Sequence, residues 1–288
     1  MTVTHTASEL ERKPRSVAIG TFDGVHVGHR RVLEAAVADG RTPTVVTFDP
    51  HPRTVLGSHV ELIVPLQRRL ELLAELGIED VLVVEFTLEL AALAPERFAE
   101  QTLQAIGAEI VVAGESFRFG QGRTGDLDLL RRLGFDVRPV PLAEGVSSSH
   151  IRELLGSGEI ERAAQALGRP SELEGIVVSG DARGGKLGFP TANLRVDPNV
   201  LVPAYGIYAG FTEGTRSAVS VGTNPHYGGD ERRIEAFLLD FDGDLYGRRL
   251  VVELWRRLRD EQAFASEAEL VEQIARDVEQ TRAAVRPA

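Results

Sequence analysis

The 288-residue chain has no cysteine, so it has neither a disulfide framework nor a thiolate metal site. That fits a reducing cytoplasm, the expected location. Basic charge is also short, with 32 Lys and Arg against 43 Asp and Glu for a net charge of −11. A general nucleic-acid or membrane-surface binder needs a basic face, so neither is expected as a partner. No run approaches the roughly 18 apolar residues of a membrane span. Residues 1–15, which end Arg12-Lys13-Pro14-Arg15, lack the apolar core of a signal peptide and are expected to be a flexible lead-in. There is no internal repeat and no low-complexity segment. What remains is an ordinary globular composition, long enough for two domains with separate cores. A small anionic ligand is still compatible with the acidic balance, because local Arg residues and helix N-termini can bind it.

The most informative stretch is Gly20-Thr21-Phe22-Asp23-Gly24-Val25-His26-Val27-Gly28-His29, between an apolar strand (16–19) and a helical pattern (30–38). Gly20 and Gly24 allow a tight turn and close backbone approach to a ligand. His26 and His29 are three apart, which places both on one face of a first helical turn. Free N–H groups and the positive dipole end favour anions there. The spacing predicts a nucleotide site formed by Gly20, Phe22, Asp23 and Gly24, with two imidazoles able to meet charge developing on a phosphoryl group.

Further runs of strand length (44–48, 81–86, 110–113 and 137–140) alternate with amphipathic segments that stop at Gly77, Gly107 and Gly134. This βαβ rhythm predicts a doubly wound parallel sheet, with ligands at the carboxyl ends of its strands. Phe48-Asp49-Pro50-His51-Pro52 belongs to that edge, although a stiff loop with a solvated histidine explains it as well. Ser116-Phe117-Arg118 suits a planar ligand carrying phosphate, and an edge turn accounts for it equally. Ser147-Ser148-Ser149-His150-Ile151-Arg152 opens a helix. Arg152 near a helix start, where the dipole disfavours cations, suggests an anion nearby.

After Gly168-Arg169-Pro170 the composition changes to short β-rich runs punctuated by Gly and Pro, which predicts a small antiparallel barrel closed by an amphipathic helix (267–285). The domains are therefore read as 16–169 and 170–288. A glycine-rich stretch, including Gly180, Arg183, Gly188 and Pro190, is suited to folding over phosphates. Thr191 and Asn193 offer hard oxygen ligands for Mg²⁺, and a loop with an Asn turn also fits. Glu235, in the apolar run Ile234-Glu235-Ala236-Phe237-Leu238, either faces water or serves as a base for a substrate hydroxyl. Asp240, Asp242 and Asp244 read as a hairpin turn.

Taken in this order, the motifs resemble those of the bacterial bifunctional riboflavin kinase/FMN adenylyltransferase family across residues 16–282. The Gly20–His29 stretch is similar to its HxGH nucleotidyltransferase motif, and 147–152 to its Ser-Ser-Thr-x-Ile-Arg motif. Residues 48–52 resemble its Pro-His-Pro segment, and Pro190-Thr191-Ala192-Asn193 its flavokinase signature. The resemblance implies phosphorylation of riboflavin to FMN in the barrel, with Thr191 and Asn193 holding Mg²⁺ and ATP and Glu235 as base. It further implies adenylylation of FMN to FAD in the first domain, with His26, His29 and Arg152 acting on the phosphates. Ser147 and Ser148 would join the nucleotide site, and Ser116, Phe117 and Arg118 the flavin site. Ser116, Gly185 and His226 depart from the family pattern. The departures leave open a diverged relative acting on a modified flavin, a monofunctional nucleotidyltransferase with a non-catalytic barrel, and a non-enzymatic flavin-binding regulator. Self-association is likewise undecided by the sequence.

Overall fold

The computed structural model describes residues 1–180, 188–223 and 232–287. The chain divides into two compact units, one of residues 1–61 and 66–147, the other of residues 62–65 and 148–288.

The first unit is built on six parallel strands: β1 (Thr2–Thr4), β2 (Arg15–Ile19), β3 (Thr42–Asp49), β4 (Asp80–Glu85), β5 (Ala108–Gly114) and β6 (Asp136–Val140). Their order is β1-β4-β3-β2-β5-β6. The order reverses beside β2, which pairs with both β3 and β5, so the crevice for a ligand lies at the C-terminal end of β2. The intervening helices are α1 (Val27–Val37), α2 (Pro52–Val55), α3 (Leu66–Glu75), α4 (Leu88–Ala91), α5 (Pro95–Phe98) and α6 (Leu127–Arg132). After α5 the chain widens into a π-helical turn, Ala99–Gln104, where the sequence pattern predicts one uninterrupted helix. The central strands are buried on both faces, as their continuous apolar runs require.

The first fifteen residues are not a flexible lead-in. Thr2–Thr4 pair in parallel with Asp80–Leu82, and Leu10 is buried in the core that includes Leu103 and Ile106. The added strand satisfies the outer backbone groups of β4, which would otherwise form an open edge. A three-residue strand is too short to leave a periodic signature.

The second unit begins with α7 (Ser148–Ser157) and α8 (Ile160–Leu167), then forms a closed barrel. Its strands are β7 (Ser171–Val178), β8 (Ala192–Arg195), β9 (Gly206–Thr212), β10 (Thr215–Thr223), β11 (Arg232–Leu238) and β12 (Arg249–Arg259), all antiparallel in the order β10-β11-β8-β7-β12-β9. In β7 burial alternates strictly, one face filling the barrel. α8 ends at Gly168 (φ 70°), in the left-handed conformation glycine adopts without strain. Its buried face, including Ile160, Ala163 and Leu167, goes with the barrel because α8 packs on β7 and β12. The structural boundary therefore precedes α7, whereas the change of composition follows α8.

Residues 239–248 do not form a hairpin. β11 pairs with β10 and β8, and β12 with β7 and β9, so the connection joins strands that are not neighbours. Asp240, at φ 57°, instead makes a forked ion pair with Arg282 on the closing helix α9 (Glu267–Ala283), at 2.6 and 2.8 Å. Leu270, Ile274 and Val278, which recur at four-residue spacing along this helix, are only half-buried. The centre of α9 is polar: buried Asp277 accepts from Arg259 Nη2 at 2.7 Å and Nε at 3.0 Å.

Candidate active site

In the first unit, β2 ends at Ile19 and the Gly20 amide donates to the Val46 carbonyl at 3.1 Å. The chain then turns through three residues in left-handed backbone conformations, Phe22 (φ 49°), Gly24 (φ 81°) and Val25 (φ 42°). The two that are not glycine cost on the order of 1–3 kcal/mol each and persist only where the surroundings enforce them. Those surroundings are visible. The Phe22 ring is buried and lies over Gly20, where an added Cβ would sit 3.2 Å from it. The Thr21 carbonyl accepts from Thr47 Oγ1 at 3.1 Å and from Arg69 Nη1 at 2.7 Å.

The turn delivers His26 as the N-cap of α1, its Nδ1 accepting from the His29 amide at 3.2 Å. The imidazoles are stacked, with centroids 3.6 Å apart and planes 16° from parallel. Gly28 allows this, since a Cβ there would come within 3.2 Å of the His26 ring. The Phe22 edge closes on His29 at 5.3 Å. Burial, then the neighbouring His26 and Arg69, hold the His29 imidazole well below its usual range, so it is neutral near pH 7. Its Nδ1 is buried without a hydrogen-bond partner among the described residues. A neutral ring with unused hydrogen-bonding capacity at a helix N-terminus is arranged for an anionic ligand.

In the second unit, strand register brings the chemistry together. Asn193 on β8 lies opposite Val178 on β7 and Glu235 on β11. Glu235 alternates with buried Ile234 and Ala236, so its half-buried carboxylate is on the face turned away from the barrel core. Thr191 Oγ1 donates to Glu235 Oε2 at 3.1 Å, and Arg233 Nη1 lies 3.7 Å from Oε1. A Cβ on Gly180 would fall 2.2 Å from the Asn193 amide nitrogen, so a larger residue there would displace the amide. Phe189 meets Phe237 edge to face at 5.4 Å, at the start of the segment carrying Pro190 and Thr191.

Two family models divide the chain in the same way: one described as FAD synthetase matches residues 8–149, and one described as riboflavin kinase matches 167–285. The bifunctional riboflavin kinase/FMN adenylyltransferase of Listeria monocytogenes is 35% identical, the match covering 96% of this chain and 95% of the relative. That of Escherichia coli is 36% identical, covering 95% and 93%. The chain belongs to this bifunctional family. A solved structure described as a macrolide-efflux protein from Streptococcus pneumoniae also superposes at a TM-score of 0.88 with 31% identity, over 97% of this chain and 98% of that one. Among the described residues no helix is long and apolar enough to cross a membrane.

Within this family member, Gly20, Phe22, Asp23, Gly24, His26 and His29 share the turn at the end of β2, and Gly180, Thr191, Asn193 and Glu235 converge at the barrel. The other expected residues lie on other elements. His51 is buried and caps α2, its Nδ1 accepting from the Arg53 amide at 3.2 Å. Phe117 stacks on Phe119 with centroids 5.6 Å apart, while Ser116 and Arg118 are exposed. Ser147 is exposed at the end of the first unit, and Ser148 and half-buried Arg152 lie on α7, which belongs to the second. Gly188 (φ 87°) and Pro190 are exposed. Arg183, Gly185 and His226 lie outside the described residues.

Sequence reasoning missed Arg69, which is 2% exposed. Its signal was present: it shares the buried stripe of α3 with Leu72 and Leu73, a core position where an arginine needs a reason.

Proposed function

We propose that this chain makes FAD from riboflavin in two ATP-dependent steps at separate sites, one in each compact unit. The observation that carries the reading is the joint presence of the stacked His26–His29 pair on the N-terminus of α1 and the Thr191–Glu235 hydrogen bond on the barrel.

At the barrel, Glu235 accepts the proton of the ribityl 5′-hydroxyl as its oxygen attacks the γ-phosphorus of ATP, yielding FMN and ADP. Thr191 and Asn193 are the magnesium ligands of this reading. The donor set fits: the Thr191 hydroxyl gives its proton to Glu235, which leaves its oxygen lone pairs outward, and the Asn193 amide is held beside Gly180. Bound with ATP, magnesium supplies neutralisation of phosphate charge. Gly180, Gly188 and Pro190 are assigned to the nucleotide, and Arg183 joins them on its sequence motif alone.

In the first unit, the FMN phosphate attacks the α-phosphorus of a second ATP, and pyrophosphate leaves. His26 and His29 meet the developing charge, a role suited to a neutral His29 that donates without carrying a full charge. Gly20, Phe22, Asp23 and Gly24 bring the backbone close to the nucleotide. Ser147, Ser148 and Arg152 are assigned to phosphate binding on their motif, and Ser116, Phe117 and Arg118 to the flavin on theirs. A cytoplasmic location suits a cysteine-free enzyme that uses ATP.

The test is a time course of purified protein with riboflavin, ATP and Mg²⁺, the flavins being separated by chromatography. FMN should appear first and FAD second, with one ADP and one pyrophosphate released per FAD. Flavin that binds but remains riboflavin would reject the reading, and conversion that stops at FMN would reject its second half.

A further inference from the structure

We propose that Arg69 is a positioning residue for FMN adenylylation, holding the strained Gly20–Val25 turn and the end of β3 in one geometry. The inference rests on the function proposed above.

A buried guanidinium is a poor choice for stability alone. Its desolvation costs several kcal/mol, and apolar replacement of buried ionic groups is often neutral or stabilising. Arg69 occupies such a place on α3, and burial lowers its own pKa despite the opposing influence of Asp23 and Asp49. Its fork reaches one carbonyl in the turn after β2 and one on β3: Nη1 donates to Thr21 at 2.7 Å and Nη2 to Phe48 at 3.4 Å, with Asp49 Oδ1 3.7 Å away. Thr21 immediately precedes Phe22, the first left-handed residue of the turn that ends in His26. Phe48 opens the segment that carries His51.

A comparison within the same sheet separates this role from a structural one. Arg15 is also fully buried, but it sits at the N-terminal ends of the strands and each of its nitrogens is used, by Ile106 O, Thr44 Oγ1, Asp80 and Glu11 O. Arg69 is at the C-terminal ends, where ligands bind in such sheets, and its Nε is buried without a partner among the described residues. The planar fork matters because an ammonium is a point charge and cannot span both carbonyls with the same fixed geometry.

The experiment uses the full chain with Arg69→Lys and Arg69→Met, measuring pyrophosphate release from FMN and ATP. ADP release from riboflavin and ATP in the same preparation is the internal reference, and circular dichroism with thermal unfolding reports the fold. Small displacements of a reacting group cost up to about 10²-fold in turnover. A folded Arg69→Lys should therefore lose about 10-fold or more in kcat for FAD formation, with KM for FMN and ATP within about threefold and riboflavin phosphorylation unchanged. Arg69→Met should lose at least as much. A folded Arg69→Lys with kcat within about twofold of the parent overturns the proposal, as does a rise in KM alone, which is the mark of ground-state binding. If neither variant folds, the residue is structural and the proposal is again overturned. A parent chain that makes no FAD from FMN rejects the proposed function instead, so the two failures are distinct.

Discussion

Replacing Glu235 by Gln separates its chemistry from its packing. The amide oxygen of Gln can still accept from Thr191 Oγ1, now bonded at 3.1 Å, and the side-chain volume is conserved. The change also removes the charge 3.7 Å from Arg233, but both side chains are about 30% exposed, and partly solvated pairs of this kind contribute about 0–1 kcal/mol. The barrel should therefore stay folded, with thermal unfolding close to that of the parent. Loss of the base is a larger effect. General base catalysis contributes typically about 10²–10⁴-fold, equivalent to about 2.7–5.5 kcal/mol of transition-state stabilisation. The assay is ADP release at saturating riboflavin and Mg·ATP, with FMN to FAD conversion followed in parallel. Phosphorylation should fall by that factor in kcat while FAD formation from FMN continues at nearly the parental rate. Full kinase activity would make Glu235 no more than the partner of Thr191, and equal loss of both activities would show that the substitution acts on the whole chain.

Removing the imidazole in His29→Ala should slow FMN to FAD by about 10²–10³-fold, the usual cost of one donor aimed at transition-state charge, while riboflavin phosphorylation continues; pyrophosphate and ADP assays read the two rates. The depressed pKa of His29 has a consequence for stability. In the unfolded chain the ring takes a proton near its ordinary value of about 6.5, whereas in the folded chain it stays neutral to lower pH. Its contribution is present above about 6.5 and is lost as pH falls toward the folded value, so the parent should lose more stability than His29→Asn between about pH 7.5 and 5.5 in denaturant titrations. Parallel curves for the two proteins would contradict that reasoning. A fragment beginning at Ser148 should phosphorylate riboflavin and melt higher than one beginning at Glu172, which lacks the α8 face packed on β7 and β12; equal melting temperatures would refute a stabilising role for that helix.

The alternation of apolar runs and amphipathic segments in the first half, and of short β-rich runs in the second, was legible because each depends on local periodicity and turn residues. The same holds for the turn from Gly20 to His29 and for Thr191, Asn193 and Glu235. These lie in or beside contiguous motifs whose residue types already limit their chemistry. What escaped was non-local. The short strand β1 exists because β4 offers an open edge, and the connection after β11 avoids a hairpin because β12 pairs elsewhere. The polar centre of α9 depends on Arg259, a residue of another element.

By itself the sequence determined the two-part architecture, the family and the residue types proposed for the two sites, since hydrophobic period and motif spacing are properties of the chain taken in order. Tertiary structure alone decided how those residues meet. His26 became a cap stacked on a neutral His29 because a strained turn, buried Phe22 and Arg69 hold it there, and their contacts span more than forty residues of chain. Barrel register placed Asn193 opposite Glu235, and the close approach of Gly180 to Asn193 followed from the same closure. Burial, pKa and hydrogen-bond partnership are set by atoms brought together across that distance, and no local window of the sequence contains them.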